Sequence, residues 1–142
     1  AMDYTLQPDS RRFEVGSYNL AGAYAADTSL DLLFGLGTPE IEKRVLRLAG
    51  NFNEGLASIG MTPAVPADGP EQSHVLTVGK LDAGGHGFST DPKIEPISVH
   101  LTESRVFHSI RRGQLRFAIH AYNNDSDIQH AIDCVREALA KI

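Results

Sequence analysis

Between Gln114 and His120 the chain changes character at every step: Leu115, Phe117 and Ile119 alternate with Arg116, Ala118 and His120. Successive side chains of a strand point to opposite faces, so this is the pattern of a strand with one face in a core and the other polar. Just before it, Arg112-Gly113 can turn the chain back onto Val106–Ile110 and make a hairpin. Just after it, Asn123-Asn124-Asp125-Ser126 offers caps for a closing helix. A strand fixed at both ends projects Arg116 from a rigid polar face. A guanidinium held there can grip a carboxylate through two parallel hydrogen bonds. An arginine lying on a solvated sheet face, or paired to a helix acid, fits the same pattern.

The remaining elements follow in order. Leu20 to Phe34 is rich in Ala and Leu, with small Ala21, Ala25 and Ala26, and predicts a helix ended by Gly35 and Gly37. Thr38-Pro39-Glu40 restarts a helix, with Thr38 as N-cap and acids near the positive end. Its apolar stripe is Ile41, Val45, Leu48, Phe52, Leu56 and Ile59, and Gly60 stops it. Met61 to Val65 is a short strand candidate, and Ser73 to Leu81 alternates as a strand. Asp82 to Ser89 is a glycine-rich loop. Thr90-Asp91-Pro92 opens a short helix to about Leu101, with Pro96 awkward inside it. Arg105 to Arg111 is the first hairpin strand. Ile128, Ile132, Val135 and Leu139 mark the last helix, Asp125 to Lys141. This order predicts an α/β (α+β) fold: a small, mostly antiparallel sheet of about four strands with helices on one face. The Leu20–Phe34 helix has no obvious place on that sheet.

Composition narrows the function. The 142 residues are 42% hydrophobic and 22% charged, enough for one core. A net charge of -5 without a basic run argues against nucleic acid or an anionic membrane as partner. The lone Cys134 rules out an internal disulfide framework and fits the cytoplasm; its place among Ile132, Val135 and Leu139 suits a buried thiol. The six histidines show no ligand spacing, so no metal site is expected. Gly79-Lys80 lacks the glycine and hydroxyl of a phosphate loop, and no Gly-x-Ser-x-Gly elbow occurs. Gly16-Ser17 before a helix could offer a hydroxyl and backbone N–H groups to an anion, while Ser17 or Asn19 could equally be a plain helix cap.

Two stretches carry a resemblance. Arg12-Phe13-Glu14-Val15-Gly16-Ser17-Tyr18-Asn19 resembles the RFE-x-G-[ST]-x-N segment of class V aminotransferase-like enzymes. Leu115-Arg116-Phe117-Ala118 through Tyr122-Asn123-Asn124 and Ile128 resembles their closing R-x-S-x-x-x-YN motif. These are fold-type I, pyridoxal-phosphate-dependent proteins that include cysteine desulfurases and isopenicillin N epimerase-like enzymes. The resemblance implies the C-terminal portion of a dimeric enzyme acting on an amino acid. Arg116 would bind the substrate's α-carboxylate. Ser17 would reach the cofactor phosphate of the neighbouring subunit, with Gly16 and Asn19 shaping that loop. Residues 12–37 would return to a large cofactor domain, and 38–142 would form the small domain. Residues 1–11 would be a lead-in, with Ala1-Met2 a tag remnant.

The departures set expectations too. The family's Schiff-base lysine follows a Ser/Asn-x-His pattern, and Lys43, Lys80, Lys93 and Lys141 lack that context. The chain is therefore expected to hold no catalytic residue, bind no cofactor alone and be inactive alone. No Cys lies between Leu101 and Arg116, where a desulfurase nucleophile would sit, so persulfide chemistry is not expected. A stand-alone carboxylate-binding or dimerisation module is the alternative. The motif does not say whether His120 or Tyr122 touches a ligand.

Overall fold

The hairpin around Gly113 proves to be two of three strands in one antiparallel sheet. The computed structural model describes residues 5–14, 16–66, 69–82 and 86–142, so Ala1-Met2 and Val15 of the first motif lie outside the described residues. The elements are a 3₁₀ turn (Ser10–Phe13), α1 (Leu20–Leu36), α2 (Thr38–Ser58), β1 (Val75–Val78), α3 (Ile94–Glu103), β2 (Ser109–Arg111), β3 (Gln114–Ala118) and α4 (Asp125–Leu139). The chain divides into two compact units, Ala1–Thr38 and Pro39–Ile142.

In the first unit, Asp9 caps the 3₁₀ turn by accepting from the Arg11 amide at 3.0 Å, and its carboxylate pairs with the Arg11 guanidinium at 2.7 Å. Asn19 is the N-cap of α1, its side-chain oxygen accepting from the Gly22 amide at 2.9 Å. The helix runs through Gly35 and ends at Gly37, whose φ of 84° favours glycine. α1 buries no residue, and Leu20, Tyr24, Leu30, Leu32, Phe34 and Leu36 are all exposed.

In the second unit, β3 lies between β1 and β2, with Leu76 opposite Phe117 and Val78 opposite Leu115. These core-facing residues, with Ile110, pack against Leu48, Phe52 and Leu56 of α2, Ile94, Ile97 and Leu101 of α3, and Ile128, Ile132 and Val135 of α4. Three helices therefore cover one sheet face, as the alternation predicts. Phe52 meets Phe117 edge to face, centroids 5.0 Å apart. A Cβ on Gly55 would come within 2.2 Å of the Ile132 side chain, so this glycine lets α2 and α4 approach closely.

Some local readings change. The expected fourth strand, Met61 to Val65, contributes a single bridge from Pro63 to Val78, made by bonds from the Ala64 amide to the Thr77 carbonyl at 2.8 Å and from the Gly79 amide to the Thr62 carbonyl at 3.3 Å. Proline has no N–H to continue a ladder. β1 and β2 are shorter than their alternating segments, and α4 stops at Leu139. α2 begins at Thr38 itself, one residue earlier than a Thr38 cap would place it. Pro96 is accommodated because α3 starts at Ile94, leaving the proline in the first turn, where amides lack intrahelical partners. Arg105 takes the left-handed position after α3, with φ 59°, while the Val106 amide bonds back to the Leu101 carbonyl.

Candidate functional site

The register builds a polar sheet face around Arg116. Directly opposite residues share a face, so Arg116 lies between Thr77 of β1 and Ser109 of β2. All three are half-buried. Arg111, opposite Gln114, stands on the same face one step along. No strand residue on this face is acidic: it comprises Val75, Thr77, Ser109, Arg111, Gln114, Arg116 and Ala118. Among the described residues, the Arg116 side chain makes no hydrogen bond or ion pair. Arg116 is thus a half-buried residue on the polar sheet face, beside two hydroxyl-bearing residues.

The hairpin turn that sets this register is Arg112-Gly113, with φ of 49° and 82°. Positive φ at both central residues is the arrangement whose twist matches paired strands. Asp82 lies over the turn: its carboxylate accepts from the Thr90 amide and hydroxyl, both at 2.8 Å, and its amide donates to the Arg112 carbonyl at 2.9 Å. Gln114 donates its amide to the Gly79 carbonyl at 2.8 Å, tying β3 to the end of β1.

The other end of β3 is held from α2. Arg44 donates to the Ala121 carbonyl at 2.9 Å and the Asn123 carbonyl at 2.7 Å. Arg47 makes a two-pronged contact with Asp125, at 2.7 and 3.0 Å. Asn124 and Asp127 complete a reciprocal capping box on α4. Asn123 also bonds within the turn, its oxygen accepting from the His120 amide at 2.9 Å. The Tyr-Asn-Asn stretch thus has a structural task. Arg44 and Arg47, 77 to 79 residues from their partners, do not stand out in the sequence as functional residues. Their shared clue is position: two cations on one helix ahead of a carbonyl-rich turn.

The hydrogen bond from Arg47 holds the Asp125 carboxyl below its ordinary value of 3.8. A carboxyl with a lowered folded-state pKa contributes stability above 3.8 that is lost as pH falls through the folded value. Wild-type protein should therefore lose more stability than Asp125→Asn between about pH 5 and about pH 2, followed by urea unfolding. Equal losses would show the pair to be thermodynamically silent.

The remaining candidates are placed as follows. Ser17 is exposed, and Gly16 has φ 91° with open space where a Cβ would be. Asn19 is the helix cap. His120 and Tyr122 stack with centroids 5.0 Å apart, and Tyr122 borders a cavity of about 320 Å³ floored by Phe52, Phe117 and Ile119. Arg116 does not line that cavity. Cys134 is buried in α4, facing the core. Lys43, Lys80, Lys93 and Lys141 are all exposed. Among the described residues no group of three His, Cys, Asp or Glu could hold a metal ion, and no helix is long and apolar enough to cross a membrane.

This architecture matches one part of a longer protein of known structure. Among solved structures, the apo cysteine desulfurase from Thermococcus onnurineus NA1 matches with a TM-score of 0.78 and 18% identity. The match covers 98% of this chain and 36% of that one, so the chain spans about a third of its structural neighbour. At this identity the likeness establishes the fold. No model of a known protein family matches the chain, and no curated protein matches it either.

Proposed function

We propose that this chain is the C-terminal part of a pyridoxal-phosphate enzyme of the class V aminotransferase type, acting on an amino acid, with Arg116 binding the substrate's α-carboxylate. One observation carries the reading: a half-buried arginine in register between two hydroxyl-bearing strand residues, without an ionic partner among the described residues. Such a cation is stabilised by an anion that can accept two hydrogen bonds, and a carboxylate has the matching geometry. The fold of the solved neighbour and its greater length support a parent with a further domain. So does α1, whose apolar side chains point in most directions, as in helices enclosed by other protein.

In that parent the cofactor would supply the electron sink for chemistry at the amino-acid α-carbon. Ser17 and the backbone around Gly16, ahead of α1, would contact its phosphate, since a helix start favours anions. Asn19 would fix this loop through its bond to Gly22. The four exposed lysines do not fit the reactive position, which a lysine of the missing domain would fill. No catalytic step is assigned to this chain's own residues. Persulfide chemistry does not suit it, since its one thiol lies within the core.

The test is titration of the chain with L-alanine, followed by amide and arginine Nε–H shifts in NMR spectra. Arg116→Gln should weaken the response about 10- to 100-fold, the weight of a charge-assisted bidentate contact. A response that survives the substitution removes Arg116 from the site. A second reading, a module that self-associates through exposed α1, is favoured by the same uncovered side chains. Light scattering would favour it by showing a concentration-dependent dimer, and would weaken it by showing a monomer throughout.

A further inference from the structure

The Arg116 face holds a second guanidinium that the α-carboxylate does not require. Arg111 is opposite Gln114, and Arg116 is two residues beyond Gln114 on the same strand, so the two arginines are diagonal neighbours on one face. Such neighbours stand roughly 7–8 Å apart between Cα atoms. Like charges this close repel, and here no strand residue on the face offsets them. The Asp82 carboxylate, which lies over the turn, accepts two bonds from Thr90.

Arg111 is also incompletely satisfied. Its Nε is buried without a hydrogen-bond partner, while a terminal nitrogen contacts His86 Nδ1. The imidazole of His86 brings no negative charge to the arginine, so this contact leaves the Arg111 charge uncancelled. The backbone fixes this arrangement, because His86 bridges Arg111 across the sheet edge and the Gly87 amide donates to the Ile110 carbonyl at 3.1 Å.

We infer that the ligand of this face is an amino acid whose side chain ends in an anion, Arg116 taking the α-carboxylate and Arg111 the distal group. The inference rests on the reading of Arg116 above. A carboxylate and a phosphate present the same chemistry to a guanidinium, so both are candidates for the distal end. Thr77 and Ser109 flank Arg116 and add hydroxyls that either anion can use.

The experiment is an NMR titration of the full chain with two matched pairs: L-glutamate against L-glutamine, and O-phospho-L-serine against L-serine. At least one anionic member should bind about tenfold tighter than its neutral counterpart, with shifts at both Arg111 and Arg116 Nε–H. Whichever pair shows the preference identifies the distal group. Arg111→Gln should erase the preference by weakening the anionic member about tenfold, and Arg111→Lys should restore part of it. Arg116→Gln should weaken both members of a pair. Circular dichroism melts of each variant confirm that it is folded. Equal affinities within both pairs, with binding still dependent on Arg116, overturn the inference and leave the Arg116 reading standing. Binding indifferent to Arg116, or no shift with any of the four compounds, overturns both.

Discussion

Replacing Phe52 with alanine is expected to destabilise the protein by about 3–5 kcal/mol, the usual cost of removing a buried aromatic ring. Phe52 is 2% exposed and contacts Phe117 edge to face. The loss would combine the transfer of the ring, the cavity left behind and the broken aromatic pair. Phe117 neighbours Arg116 in β3, so the same substitution should loosen the strand that aims the guanidinium. Urea unfolding measures the first effect, and faster amide exchange across Leu115–Phe117 reports the second. Phe52→Leu should cost much less. A loss below about 1 kcal/mol for the alanine variant would mean that α2 does not anchor the sheet through this ring.

Gly113→Ala should be nearly as damaging for a different reason. The residue has φ 82°, where an L side chain meets its own backbone, at a cost of about 1–2 kcal/mol. The added methyl would also stand 2.4 Å from the Asp82 carboxylate. That group cannot swing aside freely, since it accepts two bonds from Thr90. A combined loss of about 2–3 kcal/mol is expected in thermal unfolding, together with faster exchange of the Thr90 amide. A neutral outcome would show that the Asp82 contact is dispensable. Since the turn sets the register of β2 on β3, the variant should also blunt any preference for L-glutamate over L-glutamine.

Much of this was legible before any coordinates, because the strongest signals are local. The period of β3, the stripe of α2 and the caps of α4 each lie within a short window, where geometry follows from neighbours along the chain. The helix-on-one-face arrangement followed from those periods, since each apolar face needs the others. The elements that were less legible depend on distant partners. Met61–Val65 has strand-like composition, but Pro63 leaves it only a bridge to β1. The Arg44 and Arg47 contacts join α2 to residues far along the chain, and nothing near either arginine announces them.

The candidate site divides the same way. Arg116 stood out as a candidate because the alternation around it is regular. Arg111 belongs to a three-residue strand, too short for alternation to single it out. The signal was present in Ser109-Ile110-Arg111, once that run is placed in register with Gln114-Leu115-Arg116. The loop that brings His86 alongside contributes no periodic pattern at all. Ser17 and Gly16 were read from the motif resemblance, and both are exposed.

Arg44 spans two carbonyls of one short turn, Ala121 and Asn123, like a thumb pinning a folded ribbon. Evolution can therefore remodel this protein's edges more readily than that bend. One extra residue there would carry a carbonyl out of the arginine's reach, and rotate the start of α4 relative to the sheet. Among homologues, length variation should gather elsewhere and spare the interval from His120 to Asp125.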